Sequence, residues 1–315
     1  DYIYMAIRRG GMQTPTAASS VFHVGNGLNA SANGNSFNTS FPVDLHVYKN
    51  PTATSNTFTY FLNRLCGEGQ MLRADTTSAE SHQDYNDQFD HMDGMHTTTA
   101  FNYSSWVGYN WKRARGYFDM VTWTGTGSAR TVSHNLGATP EMIWTKRRSD
   151  ISNWMVYHSA IGNTKAAYLD STTTPYTSAN WWNDTSPTSS VFTVGTDSWV
   201  NYSGSEYVGF LFATAAGVSK VGSFTQSGAT NVDCGFTGDT PAFILIKRTD
   251  DSGSWLVWDS VRGIIAGNDP TFKWEASNEA QVTNTDYVDP YSGGFATTSN
   301  ITNGDYIFYA IAAIS

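Results

Sequence analysis

Cysteine, charge and long apolar segments are all scarce in this chain of 315 residues. Its two cysteines, Cys66 and Cys234, are too few for a disulfide framework or a zinc pattern, so we expect free and mostly buried thiols. No apolar run approaches the ~18–20 residues of a membrane-spanning helix, and no such helix is expected. Charged residues make up 14% of the chain and the net charge is -9. This argues against nucleic-acid binding, because a phosphate backbone requires a basic face.

Aromatic and small polar residues are abundant instead. Phe, Trp and Tyr reach 14% of the chain, and Ser, Thr, Asn and Gly cluster between apolar segments. This mixture is typical of many short strands joined by tight turns, and it is unsuited to long helices. At roughly 100–200 residues per domain, the length corresponds to two or three domains.

Apolar strand-like segments recur at intervals of about 100 residues. Residues 106–112 read WVGYNWK, 207–213 read YVGFLFA and 306–312 read YIFYAIA, at spacings of 101 and 99 residues. PEMIWTKRR from Pro140 matches PAFILIKRT from Pro241, and NWMVYHSAIG from Asn153 matches SWLVWDSVRG from Ser254. Both of these pairs are again 101 residues apart, so the chain is predicted to contain an internal repeat.

The repeat predicts an all-β protein of tandem antiparallel β-sandwich units of the jelly-roll or lectin-like kind. The predicted units span residues 10–120, 121–217 and 218–315. Residues 1–9 are interpreted as the last strand of a preceding unit, which suggests a piece of a longer protein. Alternatively, this strand pairs into the sheet of the first unit and closes it.

The chain resembles a family of repeat domains from virion proteins of marine tailed bacteriophages, including those of cyanobacteria. The similarity covers nearly the whole chain. The segments that carry it are YIYMAIRRG, FPVDLHVYKN, FDHMDG, YNWKRARGYFDMVTWTGTGSARTVSHNLGATPEMIWTKRR, WMVYHSAIG, YVGFLFATAAGVSKVGSFTQSG, PAFILIKRTDDSGSWLVWDSVRGIIAGNDP and DYIFYAIA.

This resemblance implies a β-rich structural component of a phage particle, made in the bacterial cytoplasm and located in the virion. A tail fibre or tail-associated appendage that adheres to a host-surface glycan is the first expectation, and a capsid or tail decoration protein is the second. The implied partners are other virion subunits, and a homotrimer is expected because fibres usually take that form. The family supplies no catalytic residues and no cofactor.

Tryptophans at repeated positions are predicted to serve the fold. Trp154 and Trp255 occupy the same repeat position and are interpreted as core residues. Trp106 aligns with Tyr207 and Tyr306, which favours packing on a sheet.

Four other tryptophans have no clear copy in the other units and are the predicted ligand-binding residues: Trp181, Trp182, Trp199 and Trp274. Exposed aromatic rings at such positions would stack on sugars or pack against a partner subunit. The alternative is that these rings pack over loops as satellite clusters of the chain's own core.

One segment, residues 82–94, is rich in metal-capable groups. Its carboxylates at Asp84, Asp87, Asp90 and Asp93 are candidate calcium ligands, although the spacing of the known calcium loop with its terminal Glu is missing. The alternative is that these carboxylates accept hydrogen bonds from backbone N–H groups at turns.

Sequence signatures of catalysis are lacking, since neither GxSxG nor HExxH occurs. We therefore expect no enzyme, and a polysaccharide-degrading spike is kept as the weakest alternative. The Lys-Arg pairs at strand ends, such as Lys146-Arg147 and Lys247-Arg248, are expected to form salt bridges or to be solvated.

Overall fold

Antiparallel β-sheets make up nearly all of the regular structure. The computed structural model describes residues 11–26, 29–31, 34–55, 57–82, 89, 91–97, 106–238 and 240–314. Within these ranges the chain has an all-β, sandwich-type fold, which confirms the predicted class. The strand predicted at 1–9 lies outside the described residues.

The elements fall into three consecutive groups, one for each repeat unit. Unit 1 contains a 3-10 turn (Ala18–Ser20) and β1 (Phe22–Asn26), β2 (Asn29–Ser31), β3 (Gly34–Asn38), β4 (Leu45–Lys49), β5 (Tyr60–Asn63), β6 (Gln70–Arg73), β7 (Ser81–His82), β8 (Gly94–Thr97) and β9 (Val107–Trp111). Unit 2 contains β10 (Phe118–Thr124), β11 (Arg130–Ser133), β12 (Met142–Arg147), β13 (Met155–His158), β14 (Lys165–Tyr168), β15 (Tyr176–Thr177), α1 (Ala179–Trp182), β16 (Val191–Val194), α2 (Ser198–Asn201) and β17 (Glu206–Phe212). Unit 3 contains β18 (Ser219–Gln226), β19 (Thr230–Asp233), β20 (Phe243–Arg248), β21 (Trp255–Asp259), β22 (Phe272–Lys273), β23 (Val288–Tyr291), β24 (Gly294–Thr297) and β25 (Gly304–Ile311).

Each unit has one large sheet, and the three large sheets share one strand order. The orders are β1-β9-β4-β5-β6-β7, β10-β17-β12-β13-β14-β15 and β18-β25-β20-β21-β22. Each unit adds a small sheet, namely β2-β3-β8, β11-β16 and β19-β24-β23. Trp111, Phe212 and Ile311 hold the same register position, so the spacings found in the sequence correspond to equivalent places in the sheets.

The boundary predicted at residue 120 requires a correction, because it falls inside β10. Units 1 and 2 are joined instead by a turn at Gly116, whose φ of 72° is left-handed and suits glycine. Gly217, with a φ of 71°, forms the matching turn between units 2 and 3, next to the boundary predicted there.

The three large sheets face one another across a shared core. The Phe61 ring of unit 1 lies 4.8 Å from Trp154 of unit 2 and 5.6 Å from Trp274 of unit 3, measured between centroids. Trp144 of unit 2 also contacts Trp274, at 5.4 Å. The units are therefore not independent sandwiches in a row, because one face of each large sheet is covered by the other two units.

The opposite face of each large sheet packs on the small sheet of its own unit. In unit 2, this second core contains Ile143, Met155 and Phe192. The central strands β12 and β20 are consequently buried on both faces. This explains why their sequences are continuous apolar runs rather than alternating ones.

Hydrogen bonds close the units into a ring. The indole N–H of Trp154 donates to the carbonyl oxygen of Arg73 in unit 1 at 2.7 Å, and Trp255 donates in the same way to Tyr168 in unit 2 at 2.7 Å. Thr59 holds the equivalent register position in unit 1, and its hydroxyl donates to a carbonyl oxygen of unit 3 at 2.8 Å. Both tryptophans are buried, which confirms their predicted role in the core.

Three equivalent lysines, Lys49, Lys146 and Lys247, point inward at one end of the shared core and are almost completely buried. Each ammonium group donates to a backbone carbonyl of the neighbouring unit, at 2.6, 2.9 and 3.1 Å respectively. The expectation that the Lys-Arg pairs are solvated is therefore wrong for the lysines, because inward positions alternate along a strand. Arg148 does form the expected kind of salt bridge, with Glu80 at 2.7 Å.

Three acidic side chains accompany this lysine ring at matching positions. Asp75, Asp170 and Glu275 accept backbone N–H groups at 3.2, 3.3 and 3.0 Å in their own units. Burial raises the pKa of Asp170 to about 7 and also raises the pKa of Glu275. One end of the core is thus built from buried charges of both signs.

The lysine ring predicts a pH effect on stability. Burial lowers the pKa of Lys146 to about 8, whereas the pKa of a lysine in the unfolded chain is 10.5. Between these values the unfolded chain binds more protons, so this group's contribution to the free energy of unfolding rises with pH. We expect wild type to gain stability relative to Lys146→Met between pH 8 and 9.5 in urea denaturation. A difference independent of pH would contradict this prediction.

Candidate functional site

The four tryptophans predicted to bind a ligand do not form an exposed site. Trp181, Trp182 and Trp274 are almost completely buried, and Trp199 is half-buried against the core of unit 2. The expectation that they are exposed on loops is corrected. Trp181, Trp182 and Trp199 pack in the second core of unit 2, whereas Trp274 lies in the shared core.

The burial of Trp181 and Trp182 is explained by α1, a single helical turn. The side chain of Ser178 caps this turn by accepting the N–H of Asn180 at 3.2 Å. The turn directs Trp181 and Trp182 onto the outer face of the large sheet, where the Trp182 indole N–H donates to the Lys165 carbonyl at 2.9 Å. A loop that is polar in sequence therefore supplies part of a core.

Residues of units 2 and 3 line a polar groove. Its volume is about 710 Å³. Unit 2 contributes the segment after β13, Lys165 and Pro175, and unit 3 contributes strands β18 and β25 and the turn after β20. The lining residues are Ala160, Ile161, Lys165, Pro175, Ser223, Phe224, Thr225, Thr249, Asp250, Asp305, Tyr306 and Ile307.

An aromatic pair and a hydrogen-bonded polar group lie side by side in this groove. The rings of Phe224 and Tyr306 stack with centroids 5.3 Å apart and planes 11° apart. The Thr225 hydroxyl donates to the Asp305 carboxylate at 2.7 Å, and the Thr249 hydroxyl donates to the Asp305 carbonyl at 3.1 Å. Tyr306 is buried, so the half-buried Phe224 is the ring that offers surface to the groove. Aromatic surface beside hydroxyl and carboxylate groups is suited to a polyhydroxylated ligand.

One carboxylate of the groove is paired with an arginine. Asp250 accepts hydrogen bonds from the Arg248 guanidinium at 2.8 and 3.2 Å, and these hydrogen bonds lower its pKa to about 2. Glycoside hydrolysis by paired carboxyl groups requires one acid with a raised pKa. Asp250 is ionised at neutral pH and is unsuited to that role.

Of the candidate calcium ligands, Asp84, Asp87 and Asp90 lie outside the described residues. Asp93 is exposed and lies beside two histidines, His91 and His96, so that their ligand atoms are within 4.8 Å of one another. Burial and the nearby His91 imidazole lower the pKa of His96. The metal-capable group in this part of the chain therefore contains imidazoles as well as a carboxylate.

The groove was not predicted from the sequence, because its lining comes from five segments between residues 160 and 307. The repeat offered one usable signal. Trp123 and Tyr207 in unit 2 stack at 5.3 Å and 10°, as Phe224 and Tyr306 do in unit 3. The recurring aromatic pair thus marks the edge of the large sheet in units 2 and 3, but it does not show which edge borders a groove.

Cys66 and Cys234 are free thiols, as predicted, with Cys66 half-buried and Cys234 buried. Burial raises the pKa of both to about 12, so neither is a thiolate at neutral pH. Among the described residues, no helix has the length and apolar character needed to cross a membrane.

Comparison with curated proteins gave no match to this chain. Residues 16–314, which include all three units, match a family described as a domain of unknown function (DUF7483). Because the match covers nearly the whole chain, the protein belongs to this family.

Proposed function

We propose that the chain is a structural component of a bacteriophage particle, as a tail fibre or tail-associated appendage. The resemblance of its repeated segments to virion repeat domains suggests this role, and the shared core is the observation that carries it. Phe61, Trp144 and Trp274 hold three sheets together as one body. Such cross-packing opposes local opening, which suits an appendage exposed to solvent.

The structural role is tested by locating the chain in purified particles of the phage that encodes it. We expect the chain to co-purify with particles and gold-labelled antibody to mark the tail in electron micrographs. Label distributed over the head would instead favour the capsid decoration protein. Absence from intact particles would contradict both assignments.

Adhesion to a host-surface glycan is a second proposed function, and the groove between units 2 and 3 supports it. Its half-buried Phe224 ring, hydroxyl groups and carboxylates match the apolar faces and hydroxyls of a saccharide. This moves the proposed contact surface from the tryptophans to Lys165, Phe224 and Asp305.

Glycan binding is expected to depend on the exposed polar groups of the groove. Lys165→Ala and Asp305→Ala should each weaken binding about tenfold or more in a glycan array followed by titration calorimetry, because each removes a charged hydrogen-bonding group. Both side chains are exposed, so folding should be retained.

Asp251→Ala is the matched control, because Asp251 is exposed and lies outside the groove lining. Equal binding by all three variants and wild type would contradict adhesion through this groove. Release of reducing sugar from a bound polysaccharide would favour the depolymerase alternative.

The expected homotrimer remains a prediction, and analytical ultracentrifugation would measure it. The chain already closes three equivalent sheets around one core, so its large apolar inner faces are covered within a single copy. A trimer would have to form through the outer surfaces.

A further inference from the structure

Two histidines and one aspartate converge at the start of β8, on the small sheet of unit 1. The ligand atoms of His91, Asp93 and His96 all lie within 4.8 Å of one another. The imidazole rings of His91 and His96 stack with centroids 3.7 Å apart and planes 14° apart. One carboxylate oxygen of Asp93 lies 3.3 Å from Nε2 of His96.

The backbone holds this cluster in place through β3. His96 pairs with Ser36 in the ladder, and the Thr39 N–H donates to the Asp93 carbonyl at 2.8 Å. Between them, Gly94 approaches β3 so closely that an added Cβ would lie 2.0 Å from the Phe37 carbonyl oxygen. Two of the three ligand groups are thus attached to a paired strand rather than to a free loop.

The Nε2 atom of His96 lies beside the Asp93 carboxylate but lacks a well-directed hydrogen bond. This atom is inaccessible to solvent and makes no hydrogen bond of acceptable geometry, although Asp93 lies within ion-pair distance. A buried polar atom without a well-directed hydrogen bond costs free energy. A cation between His96 and Asp93 would satisfy both groups.

The cluster is peculiar to unit 1. At the position of His96, the other units have Thr193 and Ala296 in the equivalent strands. The small sheet therefore forms without these side chains, so packing of the sheet does not require a histidine at this position.

We propose that His91, Asp93 and His96 bind one divalent transition-metal ion, with water completing the coordination. Two imidazole nitrogens and one carboxylate oxygen are a donor set that suits Zn²⁺, whereas Ca²⁺ takes oxygen ligands. In a tetrahedral zinc site, neighbouring ligand atoms lie about 3.4 Å apart, given bonds of about 2.0–2.2 Å. The separation of 3.3 Å between Asp93 and His96 fits that geometry. Because an imidazole lone pair lies in the ring plane, binding requires the stacked His91 ring to rotate so that its nitrogen points at the ion.

The test is titration of the full, untagged chain with Zn²⁺ by calorimetry, together with Co²⁺ absorption spectra. We expect one ion per chain and visible d–d bands of a low-coordinate site. His91→Gln, Asp93→Asn and His96→Gln should each weaken Zn²⁺ binding about tenfold or more, with loss of the Co²⁺ bands.

His82→Gln is the matched control, because His82 is an exposed histidine of the same unit outside the cluster. Its binding should equal that of wild type. Zn²⁺ binding that survives all three cluster variants, or less than one ion per chain, would overturn the proposal. Displacement of Zn²⁺ by equimolar Ca²⁺ would also overturn it, because the imidazoles would then not be ligands.

Discussion

The Trp274→Ala variant is expected to lose about 3–5 kcal/mol of unfolding free energy, as for other large aromatic residues removed from a core. Trp274 is fully buried and contacts Phe61 of unit 1, Trp144 of unit 2 and Phe243 of its own unit. Because the cavity would lie where all three sheets meet, the units should still unfold together. Guanidinium denaturation followed by both fluorescence and circular dichroism measures the loss and whether the two transitions coincide.

Tyr176→Ala is the matched control for this prediction. Tyr176 is an aromatic residue with 63% of its surface exposed, so its removal should change the free energy of unfolding by less than about 1 kcal/mol. If Trp274→Ala were as stable as this control, the shared core would not hold the three units together. If Trp274→Ala instead showed two separate transitions, the units would be independently stable.

The Asp259→Ala variant is also expected to lose about 3–5 kcal/mol of unfolding free energy, because it breaks a buried ion pair. Asp259 is fully buried and accepts hydrogen bonds from Nε of Arg262 at 2.6 Å and from the hydroxyl of Tyr109 at 2.8 Å. Tyr109 belongs to unit 1, so this network also joins units 1 and 3. Removal of the Asp259 carboxylate would leave the Arg262 guanidinium buried without a carboxylate. Urea denaturation would measure the decrease in unfolding free energy.

The double variant Asp259→Ala with Arg262→Met separates the effect of an unpaired buried charge from the effect of lost side-chain packing. Removing both charges should cost less than removing Asp259 alone, because no unpaired guanidinium remains in the core. A double variant as unstable as the sum of both single variants would show that the two side chains do not interact. At the equivalent position of unit 2 stands His158, whose Nδ1 accepts the N–H of Ala160 at 3.2 Å.

The repeat and its strands could be predicted from the sequence because they depend on local patterns. Apolar runs after Pro140 and Pro241 are strands β12 and β20, and their spacing of 101 residues corresponds to the same register. Two hydrophobic faces produce such continuous runs, and a sheet with one solvated face does not. The sequence therefore contained the information that both faces are covered, although it did not show what covers them.

The candidate sites were less predictable, because they depend on contacts between distant segments. Trp274 appeared to be a unit-specific surface residue, yet it lies against Phe61, more than 200 positions earlier in the chain. Lys146 appeared to be solvated, yet it donates to Thr77 of another unit. Residue type alone cannot distinguish a buried lysine from an exposed one, because burial depends on which carbonyl groups the folded chain brings near it.

The sequence by itself determined the all-β class, the internal repeat, the free thiols and the scaffold role of Trp154 and Trp255. These features follow from residue composition, from the apolar pattern within each strand and from the spacing of the repeat, all of which can be seen in the sequence. Only the tertiary structure decided that the units close around one core and that the predicted binding tryptophans belong to it. The physical reason is that each large sheet has a second apolar face, and burying all three faces together removes more apolar surface from water than three separate sandwiches would.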